Sequence, residues 1–376
     1  MKIITHIISI FFALLFTFII AYFFKDTAVK FYKNKSFLSE NNKSPVKNLQ
    51  NDLENGIITI FGSSDLRRLH QKFIPQNFFK NELNLPFRAV GEAFHTPFMM
   101  FSELATCESE RVKNNAKVVI IVSPTWFSWK SYQEGAKLPV FLKYMPPRMV
   151  YKLFTESPAD DKYREFVSSY INNHSRDMTY SSLIYGYAKY YKSSTAKKII
   201  KYLKDEKIAS SNHFNKGDPY NYVKPTLNYS ALESEAIDIE KKKKTNNTLG
   251  LEDKFYTKNK KDFPMLLPKP KPKENNVIFK DLQVLLELLK TYKNKPLFIF
   301  ADINPYVYKN KHVVKPIFNE AMDEVKKYGY GYLKLYSNTK EEFDSNILED
   351  AQHFGEAGWS KINRKIIEHF MGGKSK

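Results

Sequence analysis

The sequence predicts an α/β fold: an open parallel sheet with helices on both faces, carrying a helical insertion and preceded by one transmembrane helix. Three observations predict it. Short apolar runs rich in β-branched residues, such as Ile57–Phe61 and Lys117–Val122, recur along the chain and read as strands buried on both faces. Segments with helical apolar spacing separate them, the signature of strand-to-strand crossovers. Finally, Ile3 to Phe24 form an unbroken span without a formal charge, long enough to cross the ~30 Å hydrocarbon layer.

Composition limits what such a chain can be. Its 376 residues, 43% of them hydrophobic, suffice for one large domain with a sizeable insertion. A single cysteine excludes an internal disulfide framework, and Cys107, in a predicted helix with no histidine or basic cluster near it, reads as a small buried apolar residue. The formal net charge of +19 calls for a polyanionic neighbour: nucleic acid, anionic lipid or an anionic polymer. The basic residues are spread along the chain and form no recognisable nucleic-acid motif, so nucleic acid is not expected as a partner. Neither a cofactor nor a metal is expected. The eight histidines include no pair at ligand spacing beside carboxylates or cysteine, and a glycine-rich cofactor fingerprint is missing.

In chain order, residues 1–25 form the anchor, bounded by Lys2 and Lys25. Bulky Tyr22, Phe23 and Phe24 stand where signal-peptide cleavage requires small side chains, so the span is read as uncleaved. Residues 26–55, rich in Asn, Ser and Lys, form a polar linker, and 56–376 form the globular domain. The first strand runs into the turn Gly62-Ser63-Ser64-Asp65-Leu66, followed by helical spacing at Leu66, Leu69 and Phe73. Arg88–Val90 make a second strand ending at Gly91, and a helix is expected over about 97–112. The third strand, Lys117–Val122, stops at Ser123-Pro124-Thr125-Trp126-Phe127.

An insertion at about 131–276 follows. Its first part is helical and tyrosine-rich, whereas residues 233–276, with Lys241 to Lys244 and alternating Pro and Lys at 268–272, read as a solvated, partly extended excursion or a basic track for an anionic polymer. A helix over about 277–292, the strand Leu297–Ala301, a helix over about 314–328 and the strand Tyr332–Tyr336 then complete the sheet. Asp350-Ala351-Gln352-His353 stands before a terminal helix.

Open parallel sheets bind ligands beyond the carboxyl ends of their strands, which turns the strand ends into candidate site residues. A serine on a strand-to-helix turn suits a nucleophile whose reaction builds negative charge on oxygen, and an Asp three residues ahead of a His can orient the ring as its base. Separately, Gly-Ser-Ser reads equally as a solvated turn and Asp-x-x-His as a polar turn before a helix. Together, at one sheet edge and in the order Ser, Asp, His, they point to nucleophilic acyl chemistry.

Gly62-Ser63-Ser64 with Asp350-x-x-His353 resembles the paired blocks of the SGNH hydrolases, in the variant of the DltD family, the membrane-anchored D-alanyl transfer proteins of teichoic acid D-alanylation. Ser123-Pro124-x-Trp126-Phe127, Asn304 and Gly355-x-x-Gly358-Trp359 are similar as well, so the resemblance covers nearly the whole chain. It implies an SGNH-hydrolase-like fold and Ser64, not Ser63, as nucleophile, with His353 as base and Asp350 as its orienter. It further implies an oxyanion hole from Ser64 and Gly91, with Thr125 in place of the asparagine that the third strand end lacks, and substrate contacts at Trp126 and Asn304. The block Glu92-Ala93-Phe94-His95 departs from the family pattern. The implied setting is the extracellular side of the cell membrane, with a single spanning helix. The implied partners are teichoic or lipoteichoic acid, a D-alanyl carrier protein and a membrane acyltransferase. Two alternatives remain: an exported esterase or cell-wall polysaccharide O-acyltransferase with the same triad, and a non-catalytic scaffold that binds polyanion or carrier protein.

Overall fold

A computed structural model describes residues 48–372, apart from 136–137, 146–148, 150–151, 154–156, 158–159 and 175–217. The apolar span Ile3–Phe24 and most of the linker lie outside the described residues, and among those described no helix is long and apolar enough to cross a membrane.

Five strands, β1 (Ile58–Gly62), β2 (Phe87–Gly91), β3 (Lys117–Val122), β4 (Leu297–Phe300) and β5 (Gly331–Lys334), form one sheet in the order β2-β1-β3-β4-β5, every pair parallel. Side chains alternate across a strand, so the continuous apolar runs supply two cores. Phe61, Val118, Ile120, Val122, Phe298 and Phe300 belong to one, beneath the helices Pro97–Cys107, Val277–Leu289 and Lys315–Lys327. Ile58, Ile60, Val119, Ile121, Leu297 and Ile299 belong to the other, beneath Pro75–Asn81 and Glu356–Phe370. Each such side chain, fully buried, contributes about 1.5–3 kcal/mol relative to exposure. The alternating burial of β5 marks it as a sheet edge.

Several elements differ from expectation. The end of the expected linker is the helix Leu49–Glu54, whose Leu49 and Leu53 are buried, so the packed fold begins ahead of β1. After the serine turn the helical spacing at Leu66, Leu69 and Phe73 resolves into a single 3-10 turn, Ser64–Arg67, and the helix proper starts at Pro75, which pre-sets φ for a first turn. The helix expected over 97–112 breaks in two, because Ser109 accepts a hydrogen bond from the Val112 amide and caps a new helix, Glu110–Asn115. Most distinctly, the first part of the expected excursion, residues 233–243, is not extended but belongs to the 15-residue helix Tyr229–Lys243, laid against Glu356–Phe370 with Ala236 and Glu240 buried. Asn228 caps it through the Ala231 amide, and its terminal lysines complement the helix dipole.

Candidate active site

Because all five strands run the same way, Gly91 at the end of β2 and Ser64, Thr125, Asn304 and the 350–353 loop beyond the other strands all lie at the carboxyl edge of the sheet. The turn after β1 treats its two serines differently. Ser63 is 2% exposed and donates its hydroxyl to the Glu92 carbonyl at 3.2 Å. Ser64 opens the 3-10 turn and is only half-buried, and its Oγ stands 2.7 Å from His353 Nε2. Gly91, in register with Gly62, has φ +156, and a Cβ there would lie 2.2 Å from the Gly62 carbonyl oxygen. Only glycine lets β2 end this close to the base of the serine turn.

The loop carrying His353 is built by its own aspartate. Asp350 Oδ1 accepts the amides of Gln352 and His353, each at 2.9 Å, which folds the four residues into a turn. Asp350 Oδ2 is 2.8 Å from His353 Nδ1. A carboxylate can only accept, so the ring proton sits on Nδ1 and Nε2 is left to accept from Ser64. Burial pushes the His353 imidazole down, but Asp350 outweighs it and holds the ring above its ordinary value. Burial pushes Asp350 up, and the facing imidazole and its hydrogen bonds overcome this and hold it below the usual carboxylate range.

This loop is fixed from several sides. Gln71, fully buried, donates to Glu349 Oε2 and the Phe354 carbonyl, each at 2.8 Å, and accepts from Trp359 Nε1 at 2.6 Å. Gly355 makes room for a neighbour: a Cβ there would lie 2.6 Å from the carboxyl carbon of Glu240, whose Oε1 accepts the Glu356 amide at 2.7 Å. Sequence reasoning missed Gln71, as it missed Arg68 and Glu349. Arg68 Nη2 is 2.9 Å from Asp350 Oδ2 and its Nη1 is 2.8 Å from Glu349 Oε1. The Arg67-Arg68 pair carried no local pattern, and the only available signal was a second acid, Glu349, directly before Asp350. Asp65, buried beside the ring, is pushed up by burial against the pull of His353.

A half-buried hydroxyl held by an imidazole, itself held by a carboxylate, can lose its proton as it attacks an acyl carbon. Comparison with known proteins bears on which chain this is. The family model described as DltD protein matches residues 34–371. The chain belongs to the DltD family. It is 23% identical over 344 residues to Protein DltD of Bacillus subtilis (strain 168), covering 84% of this chain and 83% of that one. To Protein DltD of Staphylococcus aureus (strain NCTC 8325 / PS 47) it is 22% identical over 342 residues, covering 83% and 81%.

In this DltD-family chain the remaining expected site residues lie inside the fold. Thr125 is 2% exposed and its hydroxyl pairs with that of Ser123 at 2.9 Å. Trp126 is buried, its carbonyl accepting from Gln133. Asn304 is buried too: its amide donates to the Leu249 carbonyl, its Oδ1 accepts the Tyr306 and Val307 amides, and its backbone N–H reaches the Ala351 carbonyl at 2.9 Å. Asn304 thereby ties the loop after β4 to the loop of Asp350 and His353. A cavity of about 500 Å³ runs along the free edge of β2, with Gly91, Leu66 and Arg67 among its lining residues and Ser64 and His353 outside it.

The lysine run is divided. Lys241 and Lys242 are exposed, whereas Lys243 pairs with Glu252 at 3.1 Å and Lys244 donates to the Leu348 and Ser345 carbonyls just ahead of the Asp350 loop. Two of the four lysines in this run therefore brace the fold. Cys107 is buried, and burial pushes its thiol up to about 12, far from a reactive thiolate.

Proposed function

We propose that this protein is a membrane-anchored serine acyl-transfer enzyme of the SGNH type that acts in the D-alanylation of teichoic or lipoteichoic acid. The observation that carries the reading is the 2.7 Å approach of Ser64 Oγ to His353 Nε2, between residues 289 apart in a DltD-family chain. In the proposed reaction His353 takes the Ser64 proton as Oγ bonds to the carbonyl carbon of a D-alanyl ester or thioester. The amides of Ser64 and Gly91 hold the oxyanion, Thr125 being committed to Ser123, and Asp350 steadies the imidazolium. Collapse breaks the bond to the departing alcohol or thiol, which takes the proton from His353. A polymer hydroxyl, deprotonated in turn by His353, then attacks the acyl-serine, and the departing Ser64 Oγ takes that proton back from His353.

In this reading residues 1–25 anchor the chain in the cell membrane by one helix, the polar stretch ahead of the helix Leu49–Glu54 links it, and the domain that begins with that helix, with the insertion at 131–276, works on the extracellular side. The donor arrives through a D-alanyl carrier protein and a membrane acyltransferase, and the buried Trp126 and Asn304 act from behind, Asn304 by holding the loop of Asp350 and His353. The net charge of +19 supports an anionic polymer as acceptor. The test is the D-alanyl ester content of the wall polymer in cells whose only copy carries Ser64→Ala. The expected result is loss to the level of cells lacking the protein, and a wild-type level would overturn the catalytic proposal in favour of a scaffold.

A further inference from the structure

The turn that carries Ser64 also carries a guanidinium that reaches across to the base. Arg68 follows the 3-10 turn Ser64–Arg67 directly, and its Nη2 lies 2.9 Å from both Asp350 Oδ2 and His353 Nδ1. Its Nη1 is turned to Glu349, at 2.8 Å. The two carboxylates are almost fully buried, with side-chain exposures of 3% and 4%, while the Arg68 side chain is 32% exposed. One cation therefore sits between two adjacent acids, and only one of those acids touches the imidazole.

A cation this near Nδ1 disfavours a second positive charge on the ring, so Arg68 works against Asp350. Glu349 draws off part of that influence, and Gln71, donating at 2.8 Å, holds it in place. The charged and titratable groups facing the ring are Asp350, Asp65, Arg68 and Glu349; His70, at 3.6 Å, and Glu252 face Glu349 from its other sides.

We propose that Arg68 and Glu349 form a positioning clamp that links the Ser64 turn to the Asp350–His353 loop and sets the proton affinity of His353. The clamp rests on the reading of His353 as the base for Ser64, and neither member touches the reacting atoms. Burial pushes the Glu349 carboxyl up, and the Arg68 guanidinium beside it pulls the other way and favours the anion.

The two members must act in opposite directions. Loss of the cation in Arg68→Met leaves Asp350 unopposed and moves the His353 titration upward. Loss of the anion in Glu349→Gln leaves Arg68 unopposed and moves it downward, and R68K, which keeps the charge, restores the wild-type position. The experiment is an imidazole NMR titration of the full-length protein with isotope-labelled histidine, the His353 signal being assigned by its disappearance in H353Q. In parallel, the rate of Ser64 modification by a fluorophosphonate is followed against pH, each unit of displacement changing the rate on the acid side about tenfold.

Opposite displacements with rescue by R68K support the clamp, whereas displacements of the same sign, or none in folded variants, overturn it. The two readouts keep the proposals apart. Opposite NMR displacements with no modification of wild-type Ser64 uphold the clamp and remove the nucleophile assignment. Modification at Ser64 with an unmoved His353 titration does the reverse.

Discussion

Ser63 and Ser64 are neighbours in sequence but not in environment: Ser63 is committed to the Glu92 carbonyl, while Ser64 meets His353 Nε2 at 2.7 Å. Substituting each by Ala should therefore separate them. S64A is expected to abolish modification by a fluorophosphonate, measured as adduct on the intact protein. S63A is expected to keep it within a few-fold, at a cost of about 1 kcal/mol in stability for one lost hydrogen bond. Equal loss in both variants would contradict the assignment.

Asp350 has four donors on its two oxygens: the amides of Gln352 and His353, the ring Nδ1 and Arg68. Asp350→Asn removes the charge and turns one of those oxygens into a donor facing Nδ1, which favours the wrong tautomer. The expected fall in the Ser64 modification rate is roughly 10⁴-fold, by analogy with other Ser-His-Asp sites, with little change in secondary structure by circular dichroism.

His353 acts as a base only when neutral, and its titration is raised above 6.5, so the acid limb of Ser64 reactivity should lie above that value. For stability the sign is opposite. A raised imidazole contributes stability that is fully present below 6.5 and is lost as pH rises through the folded-state value. Asp350, held low, contributes stability that is present above 3.8 and is lost as pH falls through its folded-state value. The thermal midpoint of wild type should therefore exceed that of H353Q most between about 4 and 6.5, with the gap narrowing at alkaline pH.

Gly91→Ala should disturb both fold and site. The added Cβ would meet the Gly62 carbonyl at 2.2 Å, at a φ that L-residues avoid, so β2 or the serine turn must shift. A loss of about 1–3 kcal/mol is expected in denaturant unfolding, with a further fall in Ser64 reactivity as the turn moves. An unchanged midpoint would mean that the strand end relaxes freely.

Gln71→Ala removes three hydrogen bonds at once and leaves Trp359 Nε1 without its acceptor in the core. Each buried polar group left unpaired costs about 1–3 kcal/mol, so a marked drop in thermal midpoint is expected. Gln71→Glu, which keeps an acceptor for Trp359 but sets a carboxylate against Glu349, should be no better at neutral pH.

The sheet was legible because its strands are buried on both faces: Ile58–Phe61, Val118–Val122 and Leu297–Phe300 need no alternation to be recognised. The turn at Ser64 and the Asp350–His353 loop were legible as strand ends. Tyr229–Lys243 was not, since a single lysine-rich stretch can be an exposed tail or the outer face of a helix, and only its packing on Glu356–Phe370 decides. Arg68 and Gln71 were hidden for a related reason. Their partners lie 282 and 278 residues away, at Asp350 and Glu349, and no local pattern announces a contact of that range.

The central claim, that Ser64 carries the acyl group, is tested most directly by acid-quenching cells in which D-alanylation is under way and mapping the protein's peptides by mass spectrometry. The account predicts a D-alanyl ester on the peptide containing Ser64, absent in S64A. An ester on another residue, or none while the wall polymer continues to be D-alanylated at the wild-type rate in S64A cells, would contradict it.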